Sequence, residues 1–269
     1  MSQLQTTDMF NVIKYFHTFT DMCNSILVSK KFKNFISELF ENPIPITQNI
    51  IKHFPNIKIL NLYHENDEKM FYYQEGINKK KYKFDKVVVW YQVSYNVAYH
   101  NSNNPKLLFK KISYTVDDSI NIGATIPETV NSIGENFYSE IPLNTIEIPT
   151  YIKFIGDSCF EFSKNLKTVL LASNIVTIGK NCFANCLALK TVELLNVNKI
   201  PDFCFFHCKT LTSVKLPNST FLLGNSAFSN CESLVQLNIP NDLVSLGESC
   251  FSCCFKYTIP ILPESFQVQ

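Results

Sequence analysis

The chain has 269 residues, 24 Lys+Arg against 23 Asp+Glu, and a formal net charge of +1. Near-neutrality excludes the electrostatic footprint of a general nucleic-acid binder. With 46% apolar and 17% charged residues it is not a disordered chain, and 23 Phe beside 7 Gly point to packed aromatic layers.

From the N-terminus, MSQLQTTDMFNVIKYF has no basic stretch followed by an apolar one, so a signal peptide is not expected. The most apolar stretch, Val87 to Tyr99, is broken by Gln92, Ser94 and Asn96, too short and polar to span a bilayer. Together these predict a cytoplasmic protein with reduced thiols, while export to the cell surface by an unconventional route stays open. Apolar residues at helical spacing predict helices over 8–17 and 21–40, the second capped by Thr20 or Asp21 and stopped by Asn42-Pro43-Ile44-Pro45. One reading of residues 1–55 is an α-helical cap on a repeat array. The other comes from Val12-Ile13-Lys14-Tyr15-Phe16, Asp21 and Leu27-Val28-Ser29-Lys30-Lys31-Phe32, which resemble an F-box. The opening Leu-Pro of that motif is absent, and Phe32 stands for its Trp. That resemblance implies a substrate adapter of a ubiquitin ligase, with Ile13 and Val28 partly exposed.

Residues 56–119 read as irregular early turns with an insertion. Ile57 to Leu62 fits L-x-x-L-x-L, and Lys86–Val93 and Leu107–Tyr114 look like strands. Lys79, Lys80, Lys81 and Lys83 read as a solvated hairpin tip, with an acidic partner or nuclear targeting as the sharper alternative.

Residues 120–269 repeat. Gly134, Gly156, Gly179, Gly224 and Gly247 are spaced by 22, 23, 45 and 23, and Pro201 fills the missed beat. Leu143, Leu166, Leu189, Leu211 and Leu234 keep the same phase, as do Tyr138, Phe160, Phe183, Phe205, Phe228 and Phe251. Each L-x-x-V-x-L is a strand: Leu143–Ile148, Leu166–Leu171, Leu189–Leu194, Leu211–Leu216 and Leu234–Ile239. C-F-x-x-C, with its i, i+4 spacing, predicts a short helical turn. The fold class is therefore α/β, a leucine-rich-repeat solenoid that is strand-rich with short helical turns. The unit resembles that of the BspA-type leucine-rich repeat family, and the Asn-, Lys-, Ile- and Phe-rich composition looks like the BspA-like sets of protist parasites. The resemblance implies surface or scaffold protein binding rather than catalysis. Bacterial relatives are secreted adhesins, so an adhesin-like role is one expectation.

Cys182-x3-Cys186, Cys204-x3-Cys208 and Cys250-x2-Cys253 invite a metal reading. Instead they fall into two columns: Cys159, Cys182, Cys204, Ala227, Cys250, and Ser163, Cys186, Cys208, Cys231, Cys254. Ala227 and Ser163 show slots that ask for a small buried side chain, so no metal or cofactor is expected. Inter-turn disulfides need an oxidising medium and a demanding geometry. His207 sits where Asn185 and Asn230 sit in other units and reads as a surface position, and Asp117-Asp118 as adjacent surface groups pointing apart. No P-loop, G-x-S-x-G or H-E-x-x-H is present, so no enzyme is expected. The candidate site is the outward face of the strands, expected to be concave: Thr145, Thr168, Thr191, Ser213 and Gln236 in one ladder; Glu147, Leu170, Glu193, Lys215 and Asn238 in the other. Its varied charge fits a protein or peptide partner better than a polyanion.

Overall fold

The computed structural model describes residues 11–13, 15–28, 35–47, 49–67 and 84–258, with the backbone alone for Ile26 and Val28. Lys79 to Lys83, Ser29 to Phe32 and Phe266 lie outside the described residues. The chain divides into two compact units, Met1–Lys111 and Ile112–Gln269.

In the first unit, α1 (Phe19–Val28) begins before Thr20 or Asp21. The residue that caps it is Thr18. Its hydroxyl accepts from the Asp21 N–H at 3.2 Å, and the Asp21 carboxylate accepts from the Thr18 N–H at 2.8 Å. This reciprocal pair outcompetes a cap at Thr20 because it satisfies two free donors at once. Those backbone bonds, with that from the His17 N–H first, hold the Asp21 carboxyl below its usual range.

Ile57, Leu60 and Leu62 are buried, as L-x-x-L-x-L requires. β1 (Ile59–Leu62) pairs in parallel with β2 (Lys86–Ser94), Leu60 opposite Val87, and Glu41 bridges to Ile59. Two buried asparagines lock the stack. Asn42 Oδ1 accepts from the Asn61 N–H at 2.6 Å, and Asn42 Nδ2 donates to the Asn61 carbonyl at 2.7 Å. Asn61 Oδ1 in turn accepts from Trp90 Nε1 at 2.9 Å. Tyr63 stacks on the Trp90 ring and Lys110 Nζ lies 5.3 Å from its centroid, so this half-exposed indole is held by neighbouring turns. A short helix, α2 (Tyr95–His100), follows β2, capped by Ser94. β3 (Leu107–Tyr114) carries the chain into the second unit.

There, the stretch after β3 contains α3 (Val116–Ile122), which the loss of repeat phase had hidden. Thr115 and Asp118 form its capping box, so Asp118 is buried in a structural role while Asp117 is exposed. The remaining chain winds as a parallel solenoid with two strand faces. On one, Ser113–Tyr114 of β3 pairs with β4 (Ser132–Ile133), which pairs with β6 (Phe154–Ile155). Phe154 bridges to Thr177, and β9 (Lys199–Ile200), β11 (Leu222–Leu223) and β13 (Ser245–Leu246) continue in parallel. On the other face the order is β12–β10–β8–β7–β5: Gln236–Leu237, Ser213–Lys215, Thr191–Glu193, Thr168–Leu170 and Thr145–Glu147.

Between the faces lies the turn segment, which is where C-F-x-x-C falls. Its i, i+4 spacing is not that of an α-helix. Two successive hydrogen-bonded turns build it, as in Phe206 N–H to Phe203 carbonyl (3.0 Å) and Cys208 N–H to Phe205 carbonyl (3.2 Å). Each turn segment has two residues in left-handed backbone four apart. Asn136, Ser158, Asn181, Phe203, Ser226 and Ser249 form one column, and Glu140, Phe162, Asn185, His207, Asn230 and Cys253 the other. This alternation lets every second N–H turn out of its own coil towards the next. Phe160, Phe183, Phe205 and Phe228 thus donate to the carbonyls of Cys182, Cys204, Ala227 and Cys250 at 2.7–2.9 Å. A continuous helix would spend those donors within one turn of chain.

The in-register coils stack like side chains on like. From Phe160 through Phe183 and Phe205 to Phe228 the rings are fully buried, 5.1–5.2 Å apart and within 8° of parallel. That is offset stacking at the spacing of parallel strands. The glycine column has a related cause. A Cβ on Gly179 would lie 2.4 Å from the backbone of Gly156 and Asp157 in the preceding coil.

Candidate functional site

The strand register fixes the proposed face. Thr145 is opposite Thr168, Thr168 opposite Thr191, Thr191 opposite Ser213 and Ser213 opposite Gln236. Glu147 is opposite Leu170, and Glu193 opposite Lys215. Ile146, Val169, Val192, Val214 and Leu237 alternate with these residues and are buried. Nine of the ten residues therefore form two ladders on one side of one sheet, as period-two alternation requires, with Asn238 following β12.

The side chains are not equivalent. Lys215 Nζ donates to Glu193 Oε1, so that pair is neutral across neighbouring strands. Glu147 has no ion-pair partner among the described residues. Leu170 is 51% exposed between the strands that carry Glu147 and Glu193. Thr168 and Ser213 are half-buried. Asn238 lies just past β12, where its side chain takes over the ladder: Oδ1 accepts from the Leu216 N–H at 3.3 Å and Nδ2 donates to the Leu216 carbonyl at 3.2 Å. It is committed to the fold more than the others.

The cysteine columns have distinct chemistry. In the second column every side chain donates to the carbonyl of an aromatic residue in the preceding coil. Cys186, Cys208, Cys231 and Cys254 Sγ reach the Phe160, Phe183, Phe205 and Phe228 carbonyls at 3.0–3.1 Å. Ser163 Oγ does the same to the Tyr138 carbonyl at 2.8 Å. The slot thus demands a small side chain that carries a donor, which refines the size argument. In the first column no such bond is made, and Ala227 fits there, fully buried. Burial pushes the Cys186 and Cys250 thiols up to about 12, and raises Cys159 and Cys182 as well. Thiols held protonated this way are poor nucleophiles and poor ligands. All ten cysteines are free, and no group of His, Cys, Asp and Glu among the described residues is arranged to hold a metal ion. His207 is explained by its left-handed backbone, shared with Asn185 and Asn230.

Sequence reasoning missed a polar ladder at the position that follows the column of Gly156, Gly179, Pro201 and Gly224. Asp157 Oδ1 accepts from the Lys180 N–H, Asp202 Oδ1 from the Asn225 N–H and Asn225 Oδ1 from the Glu248 N–H, at 2.8–2.9 Å. Lys180 Nζ adds an ion pair to Asp202 at 2.9 Å. The signal was present in the column Asp157, Asp202, Asn225, all short side chains with a carbonyl-type oxygen.

In the first unit, Ile13 is 5% exposed, against the partial exposure an F-box would need; the Val28 side chain is outside the described residues. No helix among the described residues is long and apolar enough to cross a membrane.

A search of curated proteins found no match. Among solved structures, the chain is similar to the T. pallidum leucine-rich repeat protein TpLRR, with 23% identity over 55% of this chain and 79% of that one, TM-score 0.40. It is similar to a leucine-rich cell surface protein from Faecalibacterium prausnitzii A2-165, with 24% identity over 68% of this chain and 44% of that one, TM-score 0.44. A third is a leucine-rich repeat protein from Eubacterium ventriosum ATCC 27560, with 20% identity over 79% and 62%, TM-score 0.43. The sequence also matches the family described as "BspA type Leucine rich repeat region" in six copies, over residues 118–209 and 198–268. That match spans more than half of the chain and the same turns whose columns stack in the structure, and the chain belongs to the BspA-type leucine-rich repeat family.

Proposed function

We propose that the chain is a non-enzymatic interaction protein that docks a protein or peptide partner on the exposed face of β5–β7–β8–β10–β12. The observation that carries this reading is Leu170. It is a half-exposed leucine at the end of β7, flanked by two carboxylate-bearing strands, in a sheet whose other outward residues are polar. Isolated apolar exposure is ordinary. Here it coincides with rigid strands that hold each neighbouring charge in register. Solenoids use such faces for binding, a fold-level analogy that supports the choice of surface.

The test is affinity capture with wild-type chain and with Glu193→Arg, Lys215→Glu and Leu170→Arg, each checked for unchanged thermal unfolding. The reading expects each substitution to weaken capture of the same partner, since a like charge set opposite a partner's charge repels it. If all three leave that capture intact, the face is the wrong surface. A ubiquitin-ligase adapter role rests on residues 12–32, where the buried Ile13 speaks against it; specific recovery of the F-box-binding adapter would reverse that judgement. An adhesin-like role differs from the main reading in location, not in the face used.

A further inference from the structure

The same sheet has an edge that its face does not account for. β5 (Thr145–Glu147) is its terminal strand and pairs only with β7. Towards β7, β5 uses the Asn144 carbonyl, which accepts from the Lys167 and Thr168 N–H groups, and the Ile148 N–H, which donates to the Leu170 carbonyl. In a parallel ladder successive residues offer their backbone groups to opposite neighbours. The N–H and C=O of Thr145 and Glu147 therefore face away from β7, and no backbone partner meets them among the described residues.

The chain segment that occupies the preceding turn does not fill this edge. Gly123, Ala124 and Thr125 are exposed, and a Cβ on Gly123 would meet nothing within 4 Å. No backbone bond joins 123–126 to β5. The packing agrees with the hydrogen bonding. Leu166, Leu189, Leu211 and Leu234 are fully buried, while Leu143, first in that column, is 50% exposed. The far edge differs: there Tyr257 packs on Phe251 and its hydroxyl donates to the Leu237 carbonyl at 3.0 Å. Among the described residues, only the β5 end combines open backbone groups with a half-covered core leucine.

The geometry points to β5 as a strand-addition site for an extended peptide that carries a basic side chain next to an apolar one. Backbone bonds to Thr145 and Glu147 supply the register. The partner residue beside Glu147 lies on the exposed face, where a Lys or Arg meets a carboxylate that has no ion pair among the described residues, unlike Glu193. The next partner residue points inward and covers Leu143 and Ile146. This site is independent of Leu170 and of the Glu193–Lys215 pair, so either reading can fail alone.

The probe is a fluorescein-labelled peptide, Thr-Val-Lys-Val-Lys-Val-Thr, followed by fluorescence anisotropy in 150 mM salt. A second peptide carries N-methyl groups on alternate backbone amides. Saturable binding of the first peptide is expected. Loss of two backbone bonds by N-methylation should weaken it about tenfold or more, and loss of one by Thr145→Pro about fivefold. Glu147→Lys should weaken it roughly threefold, and Leu143→Asp should also weaken it, while Lys215→Glu leaves it unchanged. If Thr145→Pro fails to fold, the N-methylated peptide and Leu143→Asp carry the comparison on folded protein. Absent saturable binding, or equal binding of the N-methylated peptide, overturns the proposal.

Discussion

The stacked rings make a quantitative claim about where the second unit keeps its stability. Phe183 is fully buried, with Phe160 5.1 Å to one side and Phe205 5.2 Å to the other, both nearly parallel. Phe183→Ala removes a buried aromatic and leaves a cavity, which costs about 3–5 kcal/mol. Two lost ring pairs, at about 0.5–1.5 kcal/mol each beyond area, place it at the upper end. Phe251 is half-buried, with one parallel neighbour at 5.6 Å and Tyr257 tilted against it. Its truncation should cost about half as much, since it buries less area and stacks on one side only. Phe183→Leu, which keeps most of the volume, should cost about 1–3 kcal/mol for the two stacks. Urea unfolding followed by circular dichroism reads all three. With a slope of about 2 kcal/mol/M, Phe183→Ala lowers the midpoint by about 2 M. A reduced slope would show the array splitting at the damaged turn, as nearest-neighbour stability allows. If Phe183→Ala costs no more than Phe251→Ala, or if Phe183→Leu costs as much as Phe183→Ala, the stack is not the source of the stability.

The cysteine columns predict different tolerances: Cys204→Ala should follow the precedent of Ala227 at under about 1 kcal/mol, whereas Cys208→Ala should cost about 1–2 kcal/mol and Cys208→Ser much less, all read by thermal unfolding. The cost stays modest because the Phe183 carbonyl keeps its bond from the Cys186 N–H. In native protein at pH 8, a disulfide reagent should label Cys253 and Cys23 quickly, and the eight buried thiols only after unfolding, because burial withholds access. The Asp202 carboxyl is held below its usual range by Lys180 first and the Asn225 N–H second; a lowered folded value stabilises above about pH 4 and that contribution fades as pH falls through it. Asp202→Asn should therefore cost under about 1 kcal/mol at pH 7, the pair being exposed, and should flatten the acid limb of stability against pH. Gly179→Ala should destabilise by about 1–3 kcal/mol or more, because the added carbon meets backbone rather than a movable side chain.

What was legible in the sequence was whatever the stacking repeats. A parallel in-register coil places like residues about 4.8 Å apart, so any requirement of the core is written once per turn. The Phe, Leu and Gly columns are such requirements, and they placed the strands and nine of the ten residues of the candidate face on one side of one sheet, Asn238 falling just past β12. Breaks in repetition hid the rest. α3 stands where a turn segment would otherwise stand, and its capping box at Thr115 and Asp118 has no counterpart to compare with. Thr18 caps α1 by a bond back to itself from Asp21, a local competition that periodicity does not report. The turn segment misled for a different reason: its i, i+4 cysteines lie a helical distance apart, but the left-handed residues between them send the N–H groups to the next coil. Asn at positions 136, 181, 185 and 230 was the visible trace of that backbone, since Asn tolerates it best among non-glycine residues. Phe162 and Phe203 obscure the trace by occupying the same columns at a conformational cost. The edge at β5 is legible only by subtraction. Leu143 looks like every other leucine of its column, and its exposure follows from a coil that the sequence before it does not supply. A binding surface of that kind arises where the repeat stops, so it can be found only once the stacked coils are in view.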